Sequence, residues 1–247
     1  MSQQIPIFII NLERSAERRK KIKEQFNSIE LNYEFYKAID GRELDSKNIP
    51  NYAHAYRLKE FGKDMTPNEI GCYLSHFTLF ERILNEGHEM ALIIEDDVNI
   101  TSELPDILNN LKTVKTPWDM IRLATSRDRK FEILEPITEI TNLVNLKGNA
   151  CGAVGYVLNR SGAEKLCNYC KTIIHPIDIA MDRIWENKLQ IRAVFPFPIV
   201  HDNNVQSDIR TDSPPIEAPQ KTIHKLRRKR RKIVDGINKR LWELKSH

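Results

Sequence analysis

The chain has 247 residues, room for one large domain or two small ones. At 40% hydrophobic and 29% charged, its composition is that of a soluble globular protein, and without an apolar run of about 18 residues it predicts no transmembrane helix. The net charge of +4 hides an asymmetry: Lys221 to His247 hold eleven Lys/Arg against two acids, +9, which leaves −5 on residues 1–220.

The start, MSQQIPIFII, lacks the basic segment and small-residue cleavage site of a signal peptide, so a cytoplasmic protein is expected. Ile5 to Ile10 reads as a first strand, closed by Asn11-Leu12-Glu13-Arg14. Ser15 is placed to cap a helix running to about Ser28, with Ile22, Phe26 and Ile29 on one face. Arg14, Arg18 and Arg19 crowd its start, where cations oppose the helix dipole. A bound anion would relieve that; a solvated basic face is the alternative. Tyr33 to Ala38 reads as a second strand and Asp40-Gly41 as a turn. Residues 42–64 are polar and irregular, a loop or lid with short helical pieces.

Thr66-Pro67-Asn68-Glu69 is a strong helix start, with Thr66 as cap, Pro67 at the first helical position and Glu69 completing a capping box. The helix should reach about Asn85 and stop at Gly87. Ile70, Leu74, Phe77 and Leu84 mark its core stripe. Glu69, Cys72, Ser75 and His76 share a polar face suited to lining a crevice.

Ala91 to Ile94 is a short apolar run that suits a strand buried on both faces of a parallel sheet. Glu95, Asp96 and Asp97 follow at once, and a buried carboxylate must be paired or bound to a cation. In open α/β sheets the carboxyl ends of strands face the ligand crevice. A hard divalent cation shared with substrate phosphates accounts for the acids there; an acidic turn facing water is the alternative.

Ser102 is placed to cap a helix through Lys112, and Asp119 to Ala124 reads as a strand. Residues 125–150 hold a candidate antiparallel hairpin, and Gly152 to Leu158 the next strand. Ser161 and Glu164 form a second capping-box pattern, opening a helix through about Lys171. The four cysteines, Cys72, Cys151, Cys167 and Cys170, fit reduced thiols. Cys167 and Cys170 form a lone CxxC inside a helical pattern, which favours packing over zinc. Ile177 to Asn187 reads as a helix with Asp178 and Asp182 on one face, Gln190 to Phe195 as a last strand, and His201 to Asn204 as a loop. The alternation of helix and strand predicts an α/β fold with a mainly parallel central sheet.

Seven stretches, taken in order, resemble glycosyltransferase family 25, the lipopolysaccharide-type glycosyltransferases. They are IINLERSAERR at 9–19, KAIDG at 37–41, TPNEIGCYLSH at 66–76, IIEDDV at 93–98, GAVGYVLNRSGAEKL at 152–166, HPIDIAMD at 175–182 and HDNNVQSDI at 201–209. The resemblance implies a GT-A-like fold and transfer of a hexose, galactose ahead of glucose, from a UDP-sugar to a lipooligosaccharide with inversion. It implies Mn²⁺ or Mg²⁺ held by Glu95 and Asp97, with His201 and Asp202 adding a ligand from the far side. The acidic motif is Glu-Asp-Asp rather than a strict Asp-x-Asp, so which carboxylates touch the ion stays open. The donor would meet Asn11, Arg14, Arg18, Asp40, Glu69, Ser75, His76, Glu95 and Asp96. Asp178 or Asp182 would be the base, Asp178 ahead of Asp182; Glu69 and His76 are second candidates, better suited to sugar hydroxyls. A non-catalytic nucleotide-sugar or glycan-binding protein is the reading from another class.

Residues 1–204 thus form the expected catalytic domain, 205–220 a linker and 221–247 a basic amphipathic tail. In the tail Leu226, Ile233, Ile237, Leu241 and Leu244 fall on one helical stripe, Lys and Arg cover the rest, and Trp242 suits a membrane interface. The expected partner is an anionic inner-membrane surface, with the protein peripheral on its inner face and no nucleic acid partner.

Overall fold

A computed structural model describes residues 5–45, 48–202 and 221–245. An eight-stranded sheet forms its centre. In chain order the strands are β1 (Ile7–Asn11), β2 (Glu34–Lys37), β3 (Met90–Glu95), β5 (Met120–Arg122), β6 (Phe131–Pro136), β7 (Asn142–Leu146), β8 (Gly155–Asn159) and β9 (Ile191–Phe195). Across the sheet they run β2-β1-β3-β8-β5-β9-β7-β6. β7 and β8 run against the other six, so the sheet is parallel in its main direction and mixed in its pairings. β4 (Val98–Ile100) and β10 (Ile199–His201) pair antiparallel as a separate ribbon.

Among the described residues seven α-helices accompany the sheet ahead of the C-terminal one: α1 (Ala16–Ser28), α2 (His54–Phe61), α3 (Pro67–Asn85), α4 (Leu104–Leu111), α5 (Arg160–Tyr169), α6 (Ile177–Asp182) and α7 (Ile184–Asn187). The strands alternate their side chains between two cores. Phe8, Ile10, Ala91 and Ile93 join α3, α5 and α6 on one face; Ile7, Ile9, Leu92 and Ile94 join α1 and α4 on the other. Burial on both faces explains the unbroken apolar runs of β1 and β3. β3 lies between parallel β1 and antiparallel β8, not between two parallel strands as expected.

The capping box at Thr66 forms as the sequence predicts: Glu69 N donates to Thr66 Oγ1 and Thr66 N to the Glu69 carboxylate. Three other capping expectations fail. Ser15 makes no side-chain cap to α1. Glu103, not Ser102, sits at the N-cap of α4. Asn159 caps α5 by accepting from Gly162 N, while Glu164 pairs with Arg160 one turn back. Asn159 wins because it ends β8 in extended backbone, the conformation an N-cap requires. The single helix expected at 177–187 breaks at Arg183. The expected loop at His201 is strand β10 at His201 itself; the linker expected at 205–220 lies outside the described residues. The core face of α3 is rotated from the expected stripe: Ile70, Tyr73, Leu79, Phe80 and Ile83 are buried, whereas Leu74, Phe77 and Leu84 are only partly so. His76, on the expected polar face, is fully buried.

The tail forms α8 (Lys221–Lys245), packed against α2 and α7. Arg227 donates to the Lys59 carbonyl and Arg231 to the Glu60 carbonyl; Asp235 pairs with Arg183 at 2.9 Å. Leu226, Ile233, Ile237, Leu241 and Leu244 are all exposed. Trp242 is not on that stripe: Lys188 Nζ sits 4.6 Å over its ring. No helix among the described residues is long and apolar enough to cross a membrane.

The loop after β2 docks on α3 through small residues. A Cβ built on Gly71 would lie 2.5 Å from the Ile39 carbonyl oxygen, and Ser75 Oγ accepts from Ile39 N at 2.8 Å. Gly71→Ala should therefore destabilise the protein by about 1–3 kcal/mol through overpacking. Helix propensity alone predicts a gain of about 1 kcal/mol for the same change, so urea unfolding decides by sign.

Candidate active site

β3 ends at Glu95, and Asp96 and Asp97 occupy the bend before β4. The three carboxylates leave the strand toward three different partners. Glu95 Oε1 meets His76 Nε2 at 3.1 Å and Cys72 Sγ at 3.9 Å, both from α3. Asp96 accepts from Asn11 Nδ2 at 2.6 Å and faces Arg18 Nη1 at 3.4 Å. Burial raises its carboxyl above the ordinary range, while Asn11 and Arg18 act in the other direction. Asp97 Oδ2 lies 3.4 Å from His201 Nε2 on β10, and the Asp202 main-chain N–H closes on the Asp97 carbonyl.

Asp97 is the least compensated of the three. Its Oδ1 and His201 Nδ1 are buried without a hydrogen-bond partner among the described residues. Burial and then the Glu95 charge push its carboxyl up to about 6, with His201 opposing them. A buried carboxylate and an imidazole 3.4 Å apart, each with one atom left over, are ligand types that a divalent metal accepts. The residue types of Asp97 and His201 therefore fit a cation, while Glu95 acts on Asp97 through its charge and turns its own Oε1 to His76 and Cys72. Asp202 itself pairs with Lys21.

The start of α1 adds cationic groups. Arg14 Nε lies 2.7 Å from Asp40 Oδ2, and Asp40 also accepts from Arg42 N. Burial works to raise the Asp40 carboxyl, but Arg14 and the Arg42 N–H hold it below its ordinary value. Arg19 reaches Asn11 Oδ1 and lies 4.0 Å over the Phe35 ring.

α6 brings the two candidate bases, and they differ. Asp182 is buried, accepting from Arg122 Nη2 at 3.1 Å and from Cys151 N at 3.1 Å. Arg122 also donates to the Gly152 carbonyl at 2.7 Å. Together they fix Cys151 and Gly152, whose φ values of 57° and 78° are left-handed. Asp178 is half-buried and accepts main-chain N–H groups of Ile179 and Gly152. Burial raises its carboxyl above the usual range, the direction that suits a general base. Burial and the charges of Glu95, Asp178 and Asp97 all push the Cys72 thiol up, so Asp178 lies within electrostatic reach of the residues at the end of β3.

Asn11, Arg18, His76, Glu95, Asp96, Asp97 and His201 thus come together, with Arg14 and Asp40 paired at the start of α1. Glu69 and Ser75 are occupied elsewhere, Glu69 in the capping box and Ser75 between Gly71 O and Ile39 N. Arg122 and Tyr156 are residues the sequence reading missed. Tyr156 Oη lies 2.7 Å from His76 Nδ1 and so orients the ring. Arg122 had a signal: a lone charge inside an apolar strand needs a buried partner.

A helix-flanked α/β sheet whose central strand ends in acids defines the class, a GT-A-like glycosyltransferase fold. The chain belongs to glycosyltransferase family 25; the profile described as "Glycosyltransferase family 25 (LPS biosynthesis protein)" matches residues 4–181. Procollagen galactosyltransferase 1-A of Xenopus laevis is 29% identical over 66% of this chain and 28% of its own length. A glycosyltransferase 25 family member of Drosophila pseudoobscura pseudoobscura is 34% identical over 65% of this chain and 26% of its own. A "Probable inactive glycosyltransferase 25 family member 3" of Bos taurus is 28% identical over 65% and 28%. The match thus spans little more than a quarter of these relatives. Asp182 and His201 lie beyond the stretch the family profile matches.

Because Asp97 binds its proton more tightly folded than unfolded, its contribution to stability falls as pH rises from near 3.8 to about 6. Asp97→Asn should stabilise the metal-free protein at pH 7 by on the order of 1–3 kcal/mol. The gain should vanish below about pH 4, where both states are protonated. Urea unfolding at the two pH values measures it; equal stability at pH 7 would mean that the Asp97 charge is compensated after all.

Proposed function

We propose that the chain transfers a hexose from a UDP-sugar to a hydroxyl of a lipooligosaccharide, inverting the anomeric carbon. The observation that carries this is Asp97 at the end of β3, 3.4 Å from His201 and with its Oδ1 unpartnered among the described residues, with Asp178 in electrostatic reach of the same strand end. Galactose is the preferred donor sugar because relatives bear the name galactosyltransferase; glucose is the alternative. The family's description as an LPS biosynthesis protein favours the lipooligosaccharide acceptor.

Mn²⁺ or Mg²⁺ bound by Glu95, Asp97 and His201 would supply the positive charge that stabilises the departing diphosphate. Arg14 and Arg18, at the start of α1, bind and orient the donor's anionic end. Asn11 and Arg18 hold Asp96 so that its charge stays in place. His76, with Nδ1 fixed by Tyr156, positions Glu95. Asp178 takes the proton of the acceptor hydroxyl as that oxygen attacks the anomeric carbon. The carbon–oxygen bond to the diphosphate breaks on the opposite face, so the configuration inverts. Asp182 fixes the Cys151-Gly152 turn through Arg122 and does not move a proton.

One relative carries the name of an inactive protein, which keeps a second reading in view: donor binding without turnover. UDP-hexose hydrolysis and transfer separate the two. UDP binding measured by calorimetry should strengthen with Mn²⁺ in the parent protein and lose that dependence in Asp97→Ala. Asp178→Asn should keep UDP binding while kcat falls by about 10²–10⁴; a full rate in Asp178→Asn would remove it as the base.

The outward stripe of α8 supports a peripheral position on an anionic membrane, at the inner face of the inner membrane where a lipid-linked acceptor would lie. Ile233 and Ile237 are 57% and 53% exposed, so their loss leaves no cavity. Ile233→Asp/Ile237→Asp should abolish sedimentation with anionic vesicles while leaving the melting temperature and transfer to a soluble acceptor unchanged. Undiminished vesicle binding would retire the tail as the contact.

A further inference from the structure

Cys72 and His76 stand four residues apart on α3, one above the other on the helix. Both turn to Glu95 Oε1, His76 Nε2 at 3.1 Å and Cys72 Sγ at 3.9 Å. The three potential ligand atoms all lie within 4.8 Å of one another, and they form the one such group of three or more among the described residues. Tetrahedral zinc with Zn–S near 2.3 Å and Zn–N or Zn–O near 2.0–2.1 Å needs ligand atoms about 3–4 Å apart. The distances of 3.1 Å and 3.9 Å fall in that range and the third is no more than 4.8 Å, so a zinc ion fits between the side chains after a small adjustment. The second shell is also present. Tyr156 Oη, 2.7 Å from His76 Nδ1, can accept a hydrogen bond from Nδ1–H and so leave the Nε2 lone pair free to coordinate. Three protein ligands leave a fourth position open to water.

We infer that Cys72, His76 and Glu95 form a binding site for a thiophilic divalent ion, zinc by ligand type, distinct from the Asp97–His201 site and sharing its edge at Glu95. Binding moves the thiol proton to solvent, and the Cys72 sulfur joins the ion as thiolate. The ion would hold Glu95 at α3, where its carboxylate already lies, and keep it from the Asp97–His201 pair. On the proposed function above, zinc therefore inhibits transfer by withholding a donor-site carboxylate; zinc binding itself does not rest on that reading. A hard ion such as Mg²⁺ prefers all-oxygen ligands and leaves the thiol alone.

The test uses the full chain with no sugar donor. Co²⁺ is titrated in and its thiolate charge-transfer absorption followed, and zinc affinity is measured by competition with a chromophoric chelator. The parent protein should bind one zinc and show the band. Cys72→Ser should lose the band and bind zinc at least ten times more weakly, since losing even an outer partner costs about 10–100-fold. Cys167→Ser should keep both, since Cys167 is no part of the Cys72–His76–Glu95 cluster. Absence of the band in the parent, or a band lost in Cys167→Ser and retained in Cys72→Ser, would overturn the site. Where transfer activity is measurable, zinc inhibition relative to each protein's own zinc-free rate should weaken at least tenfold in Cys72→Ser. Zinc binding without any transfer activity would sustain the site and sink only the enzymatic reading.

Discussion

Disposal of carboxylate charge at the end of β3 is the constraint on which the crevice depends. Glu95, Asp96 and Asp97 leave the strand in succession, and Asp178 and Asp182 approach from α6. Like charges a few ångströms apart in a poorly solvated site repel strongly and shift each other's ionisation. The fold answers by sending each acid to a separate group: Glu95 to His76, Asp96 to Asn11 and Arg18, Asp97 to His201, Asp182 to Arg122. Those partners belong to α3, β1, α1, β10 and β5. No local segment can assemble the site, which exists only once five distant elements have docked. Asp97 is left short in this distribution, and a shortfall of positive charge in a crevice is what a cationic cofactor would correct.

The buried Arg122–Asp182 pair has a different part in the same balance. Removing one partner of such a pair leaves an uncompensated charge and is strongly destabilising. Its geometric effect is specific: Arg122 binds the Gly152 carbonyl and Asp182 the Cys151 N–H, holding two consecutive left-handed residues. Gly152 N–H in turn reaches Asp178. The two aspartates on α6, alike in sequence, therefore divide their work. Asp182 builds the turn, and the turn helps to place Asp178, whose raised affinity for a proton suits a base.

The parts of this arrangement legible in the sequence are those written locally. The apolar runs of β1 and β3 and the Thr66–Glu69 box each carry their evidence within a few residues. Capping by Ser15 and Ser161 failed because a polar residue near a helix start caps only if its backbone is extended; Asn159, delivered by β8, satisfies that and Ser161 does not. The β4–β10 ribbon was illegible because two three-residue strands about a hundred residues apart have no periodicity to detect. That ribbon is what converts His201 from a loop residue into a fixed neighbour of Asp97. Glu69 shows the opposite problem: one residue type met both a capping pattern and a site pattern, and the capping geometry uses its carboxylate.

The tail illustrates how charge fixes the direction of an amphipathic helix. Arg227 and Arg231 reach the carbonyls of Lys59 and Glu60 in the last turn of α2, where the helix dipole favours cations. Arg231 also lies 3.8 Å over the Phe61 ring, and Arg183 binds Asp235 through two parallel contacts of 2.9 Å. These pairs select one rotation of α8, with Trp242 turned inward and the aliphatic stripe turned out. Long-range attraction between the acidic body and the basic tail could not do this, being screened over about 8 Å at physiological ionic strength. The cations not spent on docking, Lys225, Arg228, Lys229, Arg230, Lys232 and Arg240, remain exposed together with the stripe. A surface that is apolar and cationic at once satisfies neither bulk water nor a neutral apolar partner. On the proposed membrane position, an anionic lipid interface would meet both requirements, and the internal ion pairs fix which face of α8 would be presented to it.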